Sequence, residues 1–307
     1  MFSTVLKEIT DYLDRRFVFT FLFPNLLFWC GLLGVFALHS DPMALWTSWD
    51  QQTDTLKLIQ IVAMLVWVTF FAHIMANQLT WLTRQFEGYW DWVPFGIGKQ
   101  IRYLRRNHYA KVLDALGARE DSESDERIYY GYPLPSETEH LMPTRLGNIL
   151  KNAELYPYQR YQADAVLLWP RLYSILPKEY ASLLSDTKAS LDLMLVISAL
   201  SSLFAIVTGG YLLITGGMWW LFLACFLGGL FLARLGYMSA LQAAIPYAQL
   251  IKSAFDLYRA DLLDKLGYEC PMSLSDEIKL WDNLCKLIYR GAAEDESKLR
   301  YRARSNK

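Results

Sequence analysis

Cysteine and histidine are scarce, with four of each in 307 residues, and neither is spaced for metal. Cys30 and Cys225 fall inside long apolar runs, and Cys270 and Cys285 stand near the C-terminal end. No pair suits a structural disulfide and no spacing suits zinc, so these thiols read as small apolar fillers. His39, His73, His108 and His140 show no metal-ligand pattern either. The chain also lacks Gly-x-Ser-x-Gly, His-Glu-x-x-His and a phosphate-cradling glycine loop. Gly96-x-Gly98 imitates such a loop only superficially, because no strand precedes it and the remaining glycine is missing. No metal, no nucleotide cofactor and no catalytic residue is therefore expected. Net charge is scarce too. Thirty basic residues against 31 acidic ones leave −1, so there is no global basic field, and nucleic acid is not an expected partner.

Long apolar runs are what the chain does have. Between Asp192 and Arg234 there is no charged residue at all, and Thr208-Gly209-Gly210 and Thr215-Gly216-Gly217 divide that stretch in two. Each half is long enough to cross a hydrocarbon core of about 30 Å as a helix. Two further runs, at about 17–38 and 58–77, have the same character. The first is too long for a signal peptide and lacks a small-x-small cleavage pattern, so it reads as an uncleaved anchor. The expected fold class is mostly α: an integral membrane protein with four transmembrane helices. A helical cytoplasmic domain is expected from the 84–188 insert and the C-terminal region.

Basic residues orient the spans. Lys7, Arg15 and Arg16 precede the first. The 39–56 loop has Asp41, Asp50 and Asp54 but no Lys or Arg. Arg84 and Lys111 follow the second span, and Arg234, Lys252 and Arg259 end or follow the fourth. The positive-inside rule then places both termini and the insert in the cytoplasm. Trp46, Trp49, Trp219 and Trp220 fall where an outer aromatic belt is expected, and Trp81 at an inner one.

The chain divides into four expected regions. Residues 1–83 hold an amphipathic lead-in (Phe2, Val5, Ile9) that lies at the inner interface, then the first hairpin, kinked at Pro24. Residues 84–188 form the insert, 189–235 the second hairpin, and 236–307 C-terminal helices with a polar tail. Within the insert a helix is predicted at 99–116, a charged loop at 118–127 and an extended piece at 128–135. Thr144 caps a helix to Tyr156, and a short helix covers Tyr161 to Leu168. Two long helices run from Lys178 into span three and from span four to about Leu266, stopped by Gly267. Ser273 or Ser275 caps a last helix to about Tyr289.

Three groups of residues stand out as candidate sites. Thr144, Arg145, Asn148, Glu154, Tyr158, Arg160, Tyr161, Asp164 and Arg171 make the densest polar cluster, read either as an anion or headgroup pocket or as a capping and ion-pair network. Lys99, Arg102, Arg105 and Arg106 form a basic face suited to anionic lipid headgroups. Asp192 and Arg234, almost equidistant from a turn centred at 212–213, are expected to lie at similar depth and to form a structural ion pair, unless Arg234 reaches the headgroups instead.

Several segments also resemble a family of bacterial multi-pass membrane proteins with no established activity. They are Pro143-Thr144-Arg145-Leu146-Gly147-Asn148, Glu154-x-Tyr156-Pro157, Tyr161-x-x-Asp164-Ala165-Val166, Leu168-Trp169-Pro170-Arg171-Leu172 and Ala254-Phe255-Asp256-Leu257-Tyr258-Arg259. Gln162 stands where that pattern has Gly. The resemblance implies a bacterial inner-membrane location and adds no chemistry.

Three functions remain open on the sequence. The favoured one is a non-enzymatic inner-membrane protein whose cytoplasmic domain senses or scaffolds a protein partner, with self-association and the lipid bilayer as its other contacts. The second is an oligomeric channel or membrane-disrupting effector gated by that domain, and the third a lipid-acting enzyme. The spans carry no polar stripe and few ionisable groups, which disfavours a permanent pore or a coupled transporter.

Overall fold

The computed structural model describes residues 15–90, 92–117, 139–292 and 299. The 118–127 and 128–135 segments, and all of the lead-in before residue 15, lie outside these residues. Among the described residues every regular element is helical. The α-helices longer than one turn are α1 (Phe23–His39), α2 (Pro42–Asp50), α3 (Asp54–Asn77), α4 (Leu79–Glu87), α5 (Ile97–Gly117), α6 (Arg145–Tyr161), α7 (Ala165–Ile175), α8 (Lys178–Thr215), α9 (Trp219–Leu266) and α10 (Leu274–Arg290). Four helical runs, Val18–His39, α3, α8 and α9, are long and apolar enough to cross a membrane.

The chain forms two compact units. The first comprises residues 1–84 and 189–242. Its opening helix is entered through a π-helical turn at Val18–Leu22, directly before Pro24. Proline has no N–H to donate, so the hydrogen-bond ladder must shift or be patched. Both occur here: the Phe23 N–H bonds back to the Val18 carbonyl, and the Asn25 side-chain amide donates to the Phe21 carbonyl at 2.9 Å. Glycines bring helices close. Gly31 lies under the Phe204 ring, and Gly229 packs against Ala205 and the Ser201 carbonyl. Ser198 Oγ donates to the Ala233 carbonyl at 2.8 Å, satisfying a hydroxyl on the inner face of the α8–α9 hairpin. The rings of Trp29, Trp67 and Phe71 cluster between α1 and α3. His39 stacks edge-on to Tyr211 at 5.3 Å and lies against Gly217, so the turns after α1 and α8 share one end of this unit.

The helix α2 falls within a segment read from the sequence only as a loop. Asp41 caps it, accepting from the N–H groups of Met43 (3.0 Å) and Ala44 (3.2 Å), and Pro42 occupies its first position. An Asp-Pro start is a helix signal in its own right.

The second unit comprises residues 85–188 and 243–307. Its core joins Leu168 and Leu172 of α7, Phe255, Leu262 and Leu263 of α9, and Leu280, Trp281 and Leu284 of α10. The predicted 161–168 helix is displaced. Tyr161 ends α6, and α7 runs from an Asp164 cap straight through Pro170. Gln162, between them, adopts the left-handed conformation (φ 56°), with its N–H turned back to the Tyr158 carbonyl. That is a helix-ending geometry that glycine occupies without strain. Ser273 caps α10, with Asp276 and Glu277 in its first turn, and Gly291 closes it with φ 74°.

Candidate functional site

Three ionisable residues of α9, Lys252, Asp256 and Arg259, recur at i, i+4 and i+7 and therefore share one face. They do not point away from the core. Lys252 is only 2% exposed, and its neighbours in sequence Ala254 and Phe255 are buried. Burying charge costs several kcal/mol unless partners compensate, so the surroundings must be built for it.

They are. Each carboxylate oxygen of Asp256 accepts a hydroxyl from α6: Tyr156 Oη donates to one and Tyr161 Oη to the other, both at 2.7 Å. Such O–H···O⁻ bonds are charge-assisted and strong. The Arg259 guanidinium lies 4.2 Å from the centre of the Tyr161 ring, and its Nε donates to Glu277 of α10 at 2.8 Å. A further Arg259 N–H bonds the Asp256 carbonyl. Trp281, fully buried, donates its indole N–H to the same Glu277 oxygen at 3.3 Å. Arg160 sits over the Tyr156 ring at 4.9 Å, and Lys252 Nζ lies 5.6 Å from that ring's centre.

The electrostatics follow from this packing. Burial, then the bond to Asp256, pushes the Tyr156 hydroxyl well above its ordinary range, and for the same reasons Tyr161 rises to about 12. Both stay protonated donors at any physiological pH. Burial lowers Lys252 to about 8; the nearby Arg160 adds to that fall, while Asp256 opposes it. Lys252 is thus a buried group whose charge changes only slightly above neutral pH. The arrangement can hold or release one proton while fixing three helices to one another.

The polar residues singled out in the sequence are divided among several places. Thr144 caps α6, accepting from the Gly147 N–H at 2.9 Å and donating to the Glu87 carbonyl at 2.9 Å. Asn148, completely buried, bonds both the N–H and the carbonyl of Met142, at 2.8 and 3.0 Å. Glu154 pairs with Lys151 at 2.6 Å. Asp164 caps α7 and accepts from the Leu167 N–H at 3.0 Å; Arg171 donates to the Leu167 carbonyl at 2.8 Å. Arg145 and Tyr158 are exposed. Only Arg160 and Tyr161 reach the Asp256 cluster. Lys252, Asp256 and Arg259 were not grouped from the sequence, yet the signal was there: three charges at helical spacing on the stripe that also carries Phe255 and Leu262.

Elsewhere, Lys99, Arg102, Arg105 and Arg106 lie on α5, where Arg106 donates to the Glu139 carbonyl. Ile97, Ile101 and Leu104 of the same helix are exposed at i, i+4 and i+7, and Phe95, just before it, is 95% exposed. In the first unit Asp192 is buried and Arg234 exposed. The turn after α8 begins at Gly216, later than the expected centre. Ser198 stands beside Ala233 and Gly236, so Arg234 is level with about residue 200. Asp192 is then about eight residues, roughly 12 Å, farther along the hairpin than Arg234. The two are not at the equal depth that the sequence suggested. Among the described residues no three of His, Cys, Asp and Glu converge as metal ligands.

Set against models of protein families, curated proteins and solved structures, the chain matches none of them.

Proposed function

We propose that this is a non-enzymatic bacterial inner-membrane protein whose helical second unit lies in the cytoplasm and senses or scaffolds a partner protein, the chain acting as a homo-oligomer. The observation that carries this reading is the continuity of α8 and α9. At 38 and 48 residues they extend about 57 and 72 Å, roughly twice a hydrocarbon core or more, and each contributes to both units without a break.

Membrane insertion of the first unit is supported by its surface. Leu58, Ile59, Ile61, Val62, Leu65 and Val66 of α3 are all half exposed or more, an apolar face too broad for water. Orientation rests on the Lys and Arg distribution, with α5 offering Lys99, Arg102, Arg105 and Arg106 to anionic headgroups beside an apolar stripe. The Asp256 cluster supports a structural or signalling role over catalysis, because both carboxylate oxygens are already taken by tyrosine hydroxyls.

Purified protein reconstituted in liposomes tests the reading. A discrete oligomer by mass photometry with no tracer flux is expected. Flux through a closed ring would replace it with the channel, and lipid turnover with an enzyme.

A further inference from the structure

The first unit contains a groove of about 440 Å³ between α1, α3, α4 and α8, within the range of small-ligand pockets. Its composition is graded. At one end stand Asn25, Gln78 and Trp81; at the other, Leu32, Leu203 and Val207. From Asn25 to Leu32 the groove follows α1 for about 10 Å of helix axis. The polar end lies where the N-terminal run begins and where α4 carries an exposed Arg84, one turn from Trp81.

We propose that this groove holds one acyl chain of an anionic phospholipid, its headgroup at the Gln78–Trp81 end beside Arg84. The inference rests on the membrane reading above, since apolar walls within the spans face hydrocarbon. Three features select the occupant. The deep walls carry no charged or hydroxyl-bearing side chain. The amide side chains and the Trp81 indole sit at the end expected at the interface, where tryptophan and amide groups meet lipid esters. The exposed guanidinium of Arg84 complements a phosphate and favours an anionic head over a zwitterionic one.

The test is native mass spectrometry of the full chain in mild detergent, titrated with dioleoyl phosphatidylglycerol or phosphatidylcholine. One phosphatidylglycerol per chain is expected, held more tightly than phosphatidylcholine. Val207→Trp, which fills the deep end, should cut occupancy at least tenfold. Ile206→Trp, at the same depth on an exposed face, should leave it unchanged. Arg84→Gln should weaken phosphatidylglycerol roughly fivefold, the equivalent of one basic residue near a headgroup. Equal binding by Val207→Trp and wild type overturns the proposal, as does no preference between the two lipids. If Val207→Trp fails to fold, brominated-chain phosphatidylglycerol decides with the remaining variants. Trp29→Phe and Trp81→Phe should each lower the quenchable fluorescence, and no change in either overturns the groove. A chain that needs detergent for extraction yet binds no phosphatidylglycerol removes only the groove. A chain recovered in the soluble fraction removes the membrane reading and the groove together.

Discussion

Replacing Lys252 by methionine should stabilise the protein at neutral pH, and the gain should disappear as the solution becomes alkaline. The structure holds this ammonium group almost wholly buried, close to the Arg160 guanidinium, with its pKa near 8 against an ordinary 10.5. A fall of that size means that the charged form is disfavoured in the folded state. At 1.36 kcal/mol per unit, with allowance for residual solvent contact, the cost is on the order of 2–3 kcal/mol at pH 7. Between about pH 8 and 10.5 the unfolded chain binds the proton that the folded chain has released, so wild-type stability rises with pH through that window. Methionine keeps the length of the stem and carries no charge, and so lacks this dependence. Asp256 is not orphaned by the change, because both tyrosine hydroxyls still donate to it. Denaturant unfolding in detergent at pH 7.0 and 9.5 measures the difference. Lys252→Met should be more stable at pH 7.0, with more than half of the gap closed at pH 9.5. A variant less stable than wild type at pH 7.0, or a gap that widens with pH, would refute the electrostatic account.

The tyrosine pair makes a second test. Tyr156→Phe and Tyr161→Phe should each cost about 1.5–3 kcal/mol in the same unfolding assay, because each removes a bond to a partly buried carboxylate. Their double variant should be non-additive, since both donate to one acceptor group. Gln162→Gly should raise stability by about 0.5–1 kcal/mol by relieving the left-handed residue, read as a higher melting temperature; a fall would mean that its side chain contributes more than its backbone costs. Gly147→Ala should lose roughly 1–3 kcal/mol, because an added methyl meets the Glu87 carbonyl and Met142, and a neutral result would show that α6 can shift away. Impermeant thiol reagents on intact cells should label a cysteine placed at Asp50 and spare one at Ser122; the reverse would invert the orientation.

The helices were legible where one signal dominated. Long uncharged runs marked α3, α8 and α9, and Ser273 with Asp276 and Glu277 marked the start of α10, because a cap and first-turn acids solve the same exposed N–H problem in any context. Proline misled at two positions. Pro157 and Pro170 were read as boundaries, yet α6 and α7 continue through them, because tertiary packing of Tyr161 and Leu172 outweighs a lost backbone bond. The site was harder to see because its residues come from three distant segments. Tyr156 and Asp256 are 100 positions apart, and nothing local to either reveals that they meet. Crowded charge between 144 and 171 drew attention instead, and most of it serves helix ends, where local groups partner one another within three or four positions. What distinguishes the Asp256 cluster is charge on an apolar stripe. Lys252, Asp256 and Arg259 occupy the face on which α9 should bury its aliphatic residues, and a chain keeps charge there only when other helices bring partners to it. That requirement ties α6 and α10 to the C-terminal half of α9.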